Sequence, residues 1–247
     1  MLEVRELRAG YGPFEVLHGI TLTLADRGIV ALLGHNGAGK STLLKAIAGQ
    51  LAASGGEVLF GGAPLVQRDP GMTARAGIRY VPQDANVFPA ISVYDNLRIG
   101  AYTLANKGPA FPEQLERVYA LFPVLREKAS LAAKLLSGGQ RQMLAIAMAL
   151  VTSPSVLLLD EPSAGLSPLN VQRVFDAIRQ LRDEFGMSVL LVEQNVNEAL
   201  RVCESAYVMQ EGRIVFHAPA AEHTAIVHHL WGLHALDTTL TPGGSHP

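Results

Sequence analysis

The sequence predicts an α/β fold built on a parallel sheet covered on both faces. Short apolar runs (Gly28 to Leu33, Val156 to Leu159, Ser188 to Val192) alternate with longer stretches in which apolar residues recur at helical spacing. These runs are apolar almost throughout, as strands buried on both faces are. The first ends in a glycine-rich octet and the second in a pair of carboxylates, so polar chemistry stands at the ends of strands.

Leu2 to Leu7 alternates, and Val16 to Leu24 alternates again before the Asp26-Arg27-Gly28 turn, which gives two half-exposed strands. Gly28 to Leu33 is a buried strand, and Ser41 to Ala48 starts a helix. Glu57 to Phe60 is a strand closed by Gly61-Gly62, and Ile78 to Val81 repeats the signal. From Ser92 to about Ala133 the spacing of Val93, Leu97, Leu104, Leu115, Val118, Leu121 and Phe122 is helical, with a break at Lys107 to Pro112. This stretch is an expected helical insertion. The α/β pattern then resumes: helix from about Gly139 to Val151, strand Val156 to Leu159, helix from about Asn170 to Phe185, strand Ser188 to Val192, helix Val196 to Val202. No internal repeat stands out.

Bulk properties narrow the class. A chain of 247 residues, 49% hydrophobic and 17% charged, is globular and long enough for a large core. A net charge of −2 offers no basic footprint, so nucleic acid is not an expected partner. The single cysteine, Cys203, lies in an apolar-periodic stretch and is expected to be a buried thiol. No stretch reaches about 18 uninterrupted apolar residues, and the start lacks the apolar segment of a signal peptide, so the chain is expected in the cytosol. His217, His223, His228, His229 and His234 are spaced like no compact ligand set.

Three motifs carry chemistry. Gly34-His35-Asn36-Gly37-Ala38-Gly39-Lys40-Ser41 has the phosphate-binding loop pattern: glycines let backbone N–H groups converge on phosphate oxygens, Lys40 meets the β/γ charge, and the Ser41 hydroxyl holds Mg²⁺. A strand before it and a helix after it set the loop at a helix N-terminus, whose dipole favours anions. Val156 to Glu161 is an apolar strand ending in two carboxylates. Asp160 is placed to hold Mg²⁺ directly or through water, and Glu161 to polarise a water in line with the γ-phosphate. Leu136-Ser137-Gly138-Gly139-Gln140 opens an apolar helix instead of a linker, which exposes a second set of N–H groups to an anion. Asn106-Lys107 lacks the Asp two positions on that guanine recognition needs; Pro109 stands there.

The order of these motifs resembles the nucleotide-binding subunits of ABC (ATP-binding cassette) transporters over roughly residues 2 to 220. The resemblance implies a P-loop NTPase fold with a RecA-like core sheet, an N-terminal antiparallel β subdomain and an inserted helical subdomain. The implied division is one domain over 1–235, with an antiparallel part (1–30 and 55–67), an α/β core (28–50, 70–84 and 152–217) and a helical part (85–151), then a flexible tail (236–247). ATP and Mg²⁺ are the implied cofactors. The loop from Gly34 through Thr42 would hold the phosphates. Tyr11, before Gly12, resembles the aromatic that stacks on adenine. Gln83, after Tyr80-Val81-Pro82, resembles the glutamine that reaches Mg²⁺ and the attacking water, completing a metal set of Ser41, Gln83 and Asp160. Two subunits of this family sandwich ATP, Ser137, Gly138, Gly139 and Gln140 of one chain facing the γ-phosphate on the other. Hydrolysis is therefore expected to need dimerisation.

Two positions depart from the family pattern. Gln194 stands where most members have His; an amide can donate to the γ-phosphate but cannot become charged, so Gln194 is expected to act with Glu161 and Lys40 in catalysis with weaker transition-state stabilisation. Ser167 stands where the inter-subunit loop usually has Asp. Val192-Glu193-Gln194-Asn195, Met143-Leu144-Ala145-Ile146 and Tyr119-Ala120-Leu121-Phe122-Pro123 resemble one of the two ATPase subunits of branched-chain amino acid importers. Urea and short-amide importers carry close relatives, and a soluble ABC ATPase remains compatible by length. The implied partners are membrane permeases, docked through the helical part and Val87, Phe88 and Pro89, a second, unlike ATPase subunit, and, indirectly, an extracytoplasmic solute-binding protein. In isolation, pairing of the chain with itself stays open. The implied location is the inner face of the cell membrane, as a peripheral protein.

Overall fold

The structure, a computed structural model, describes residues 1–65, 69–84, 86–104 and 111–231. In the antiparallel sheet, β1 (Leu2–Tyr11) lies between β2 (Phe14–Leu24) and β4 (Ala53–Phe60), and β5 (Ala63–Pro64) edges β4. β1 runs past Leu7, where the alternation in the sequence fails, because Glu6 takes a φ of 48° and shifts the register before pairing resumes. A bulge of this kind hides the second half of a strand from a period-2 pattern.

The second sheet has the order β10 (Arg213–Pro219), β9 (Ser205–Gln210), β3 (Ile29–Leu33), β8 (Ser188–Glu193), β7 (Val156–Asp160), β6 (Ile78–Val81). From β9 to β6 all neighbours are parallel, but β10 runs antiparallel to β9. The expected all-parallel sheet thus ends in one antiparallel edge. The cause is local: Glu211 and Gly212 both have positive φ (43° and 73°), the geometry of a two-residue hairpin, which joins only antiparallel strands.

Alternate residues of the central strands feed two cores. Ile29, Ala31, Leu33, Leu157, Leu159, Val189 and Leu191 pack with the helices on one face. Val30, Leu32, Val156, Leu158, Leu190 and Val192 pack on the other with α1 (Lys40–Ile47) and the antiparallel sheet. Burial on both faces is why these strands read as continuous apolar runs.

Among the described residues the remaining α-helices are α2 (Pro70–Arg75), α3 (Val93–Gly100), α4 (Phe111–Leu121), α5 (Pro123–Glu127), α6 (Gly138–Leu150), α7 (Pro168–Asp183), α8 (Val196–Val202) and α9 (His223–Trp231). α4 begins inside the expected Lys107 to Pro112 break, since a proline in the first turn gives up only an N–H that has no helical partner. The rest of that break lies outside the described residues, as do the tail 236–247 and His234. α7 starts at Pro168 for the same reason, with Ser167 exposed at its N-cap. Cys203 is buried, and burial pushes its thiol up to about 12, leaving it protonated and unreactive. Three of the other histidines have ordinary duties: His217 stacks on Tyr207, His229 on Phe216, and His223 bonds Asn197.

Candidate active site

The loop Gly34 to Gly39 leaves the carboxyl end of β3 and enters α1 directly. Two glycines are required by geometry. A Cβ on Gly34 would lie 2.3 Å from the Met209 carbonyl oxygen of β9, and Gly39 has a φ of 102° at the N-cap of α1. Beyond them Lys40, 5% exposed, folds back over the loop: its Nζ donates to the carbonyls of Gly34 (2.8 Å) and His35 (3.0 Å) and lies 3.6 Å from Glu161 Oε1. This arrangement holds a buried ammonium against the loop, at the mouth of a cavity of about 370 Å³ lined by Val16, Asn36, Gly37, Gly39, Lys40, Ser41, Thr42, Gln83, Glu161 and Gln194.

Residues from five separate segments meet there. Parallel pairing of β7 with β8 sets Asp160 beside Val192, and the chain then turns so that Glu161 N donates to the Val192 carbonyl (2.9 Å). Glu161 has a φ of 47°, a left-handed conformation that costs a non-glycine residue about 1–3 kcal/mol and marks a functional turn when its neighbours enforce it. Gln194 Nε2 donates to Glu161 Oε2 at 2.5 Å. Asp160 is fixed by two donors: Ser41 Oγ at 3.0 Å on Oδ1 and Tyr80 OH at 2.9 Å on Oδ2. Burial and the Asp160 charge push the Tyr80 phenol far up, so Tyr80 stays a donor at every ordinary pH. Ser41, Gln83 and Asp160 also line an adjoining cavity of about 350 Å³.

Other expected residues stand apart. Tyr11 is 48% exposed at the tip of the β1–β2 hairpin, opposite Phe14, and does not line the loop cavity; Val16 on β2 does. Nor does the Ser137 to Gln140 segment line it. That segment starts α6 with a reciprocal cap: Ser137 Oγ accepts from Gln140 N, and Gln140 Oε1 accepts from Ser137 N (3.1 Å) and Lys128 Nζ (3.0 Å). The Gln140 amide therefore serves the helix start. Ser137 keeps its hydroxyl proton for an outside acceptor.

Two residues at the site, Tyr80 and Glu193, had no role read from the sequence, and a third, His35, expected with the phosphates, lines a different cavity. Tyr80 was only a marker for Gln83, yet it orients Asp160. Glu193, 2% exposed, accepts from Ser163 N (3.0 Å) and Ser163 Oγ (2.9 Å) and more weakly from the N–H groups of Gln194 and Asn195. Its buried carboxyl is pushed up by desolvation, which these bonds oppose. His35, whose side chain faces away from the loop cavity, donates from Nε2 to the Leu230 carbonyl of α9 (2.8 Å) and meets Trp231 edge-on at 5.2 Å. A carbonyl only accepts, so Nε2 carries the proton.

A glycine-rich loop feeding a helix, a buried lysine folded over it and a carboxylate pair at the end of the next-but-one strand define a phosphate-binding-loop nucleotide hydrolase. Residues 17–164 match the family described as ABC transporter. With that match and the relatives below, the chain belongs to the ABC transporter family. It is 40% identical over 222 residues to the probable branched-chain amino acid transport ATP-binding protein LivF of Archaeoglobus fulgidus, covering 90% of this chain and 93% of the relative. It is 41% identical over 221 residues to the high-affinity branched-chain amino acid transport ATP-binding protein BraG of Pseudomonas aeruginosa, covering 90% and 94%. Among solved structures, cbiO1 of Clostridium perfringens, part of the ABC transporter complex cbiONQ, superposes with a TM-score of 0.78 at 31% identity, covering 95% of each chain.

Proposed function

We propose that this chain is the ATP-binding and ATP-hydrolysing subunit of an ABC importer, and that the imported solutes are branched-chain amino acids. The observation that carries the solute class is the 40–41% identity to LivF and BraG along nine-tenths of the chain. The site supports the chemistry. Lys40 and the loop N–H groups, at the head of α1, are arranged to take the β- and γ-phosphates, and Thr42 and Asn36 line the same cavity. Gln194 and Lys40 both contact Glu161, so the proposed base is oriented before substrate arrives.

A hydroxyl, one carboxylate and one amide suit Mg²⁺, which takes one or two protein carboxylates and completes its shell with water and phosphate. Ser41, Asp160 and Gln83 would hold it, and bound there it would neutralise γ-phosphate charge. Glu161 accepts the proton of the attacking water, and Gln194 donates to a γ-phosphate oxygen.

Ser137 to Gly139 lie outside the loop cavity of their own chain, which supports a composite site completed by a second ATPase subunit. No helix among the described residues is long and apolar enough to cross a membrane, so work on a solute falls to permease chains that this subunit meets peripherally at the inner membrane face. Phe88 (49% exposed), with its backbone held by the buried Asn96 (Nδ2 to Phe88 O, 3.0 Å), presents an apolar side chain suited to that contact. ATPase activity of the chain alone, then with its membrane partners and a loaded solute-binding protein, tests the proposal. Low activity that rises with leucine, isoleucine or valine is the expected result; high activity that membranes leave unchanged would place the chain among soluble ABC ATPases.

Two further outcomes are expected. Gln194→Ala should lower turnover about 100-fold, since one preorganised donor is lost, whereas Gln194→His should hold or raise it. Unchanged turnover in both would remove Gln194 from the γ-phosphate. Trp231 is the chain's single tryptophan and touches the loop through His35. Titration with ADP should therefore change Trp231 emission, and Trp231→Phe should lose the signal while still binding nucleotide; a silent Trp231 at saturating ADP would mean that the loop and α9 do not move together.

A further inference from the structure

We propose that Glu193 is a positioning residue for hydrolysis, fixing both the turn that presents Glu161 and the backbone that presents Gln194. The inference rests on the reading of Glu161 as base. Glu193 ends β8 and reaches across to the segment after β7: its Oε1 accepts from Ser163 N and its Oε2 from Ser163 Oγ, while Oε2 also faces the N–H groups of Gln194 (3.2 Å) and Asn195 (3.4 Å). The turn between Glu161 and Ser163 is thereby anchored at both ends. Glu161 N bonds the Val192 carbonyl at the near end, Ser163 bonds Glu193 at the far end, and Ala164 N closes back on the Glu161 carbonyl (3.0 Å). Such a double anchor over-determines the turn and so holds Glu161 at a φ of 47°.

The same carboxylate steers the second residue. Gln194's backbone N–H points into Glu193, and its side chain is left to meet Glu161 Oε2. Glu193, Ser163, Glu161 and Gln194 thus form a closed ring of contacts, in which Glu161 and Gln194 line the loop cavity while Glu193 and Ser163 stand behind them. A carboxylate suits this place because it only accepts, and every group around it donates. An amide would turn an NH₂ group toward at least one of those donors.

The test uses the transporter complex isolated through a tag on this chain, comparing Glu193→Gln, Ser163→Ala, Ser163→Thr and the double variant Glu193→Gln/Ser163→Ala, with Glu161→Gln as reference. Each is measured for kcat at saturating ATP, ATP affinity and thermal unfolding. Glu193→Gln and Ser163→Ala should lower kcat about 10-fold, as small misplacements of a reacting group do, with ATP affinity within about twofold of wild type. Ser163→Thr, which keeps the hydroxyl, should restore turnover. The double variant should be no slower than Glu193→Gln, because both changes remove one shared contact. Wild-type kcat in Ser163→Ala and Glu193→Gln beside an inactive Glu161→Gln, or a kcat loss matched by an equal loss of affinity, would overturn the positioning role alone. Wild-type turnover in Glu161→Gln would instead overturn the reading of the base. Should Glu193→Gln fail to fold, the Ser163→Ala and Ser163→Thr pair decides by the same criteria.

Discussion

Glu161→Gln is expected to cut ATP turnover about 100-fold or more while leaving ATP bound as tightly as in wild type, or more tightly. The carboxylate is 7% exposed at the cavity wall, and the amide has nearly the same volume, so the cavity keeps its shape. An amide oxygen turned toward Gln194 preserves the 2.5 Å contact, and its NH₂ then faces the Lys40 side, where Oε1 stood 3.6 Å from Nζ. What the amide cannot do is take a proton from water. It also removes a negative charge from beside the bound phosphates, which is why affinity should not fall. Single-turnover hydrolysis at saturating ATP, with equilibrium nucleotide binding on the same protein, separates the two effects. Normal turnover in this variant would remove Glu161 as the base.

The legible parts of this protein were those whose cause is local. β3, β7 and β8 announce themselves because two-sided burial makes them apolar throughout, and the phosphate loop because its glycines, lysine and hydroxyl are contiguous in the chain, although the contact that demands Gly34 comes from Met209 on β9. β5, α2, β9, β10 and α9 carried no sequence signal that was read. β9 follows α8 with no glycine or proline to mark the change, and β10 is an edge strand in which Ile214 and Phe216 are only partly covered and Val215 is exposed. α9 holds its place through His35 and Gln210, contacts far away in sequence that no period encodes. Glu193 escaped for the same reason. Its partner Ser163 lies 30 residues upstream, and a lone acid at a strand end looks like a solvated one. The resemblance set Ser137 to Gln140 against the phosphate of a second chain, and within one chain those residues lie outside the loop cavity. The motif is legible from its residues, but the place of its partner phosphate is not in the fold of one chain.

Lys40→Ala is expected to weaken ATP binding on the order of 100-fold, the scale of losing one partner of a buried charged contact. Among the described residues lining the loop cavity, Lys40 is the one cationic side chain and Glu161 the one anionic, so the formal balance is +1 − 1 = 0 with Lys40 and −1 without it. A polyphosphate entering the variant would meet uncompensated negative charge instead of an ammonium already folded over the loop. Two causes are then mixed: a lost contact to phosphate and an unmasked Glu161. The double variant Lys40→Ala/Glu161→Gln separates them. If Lys40 serves chiefly to neutralise Glu161, removing both charges should restore affinity. The loop geometry argues otherwise, because Nζ takes two of its three contacts from the Gly34 and His35 carbonyls and only the longest, at 3.6 Å, from Glu161. The ammonium is held by the phosphate loop itself, so affinity in the double variant should stay at least about 10-fold below wild type. Full recovery, measured by equilibrium binding of ATP, would assign Lys40 to the carboxylate and leave the phosphates to the backbone N–H groups alone.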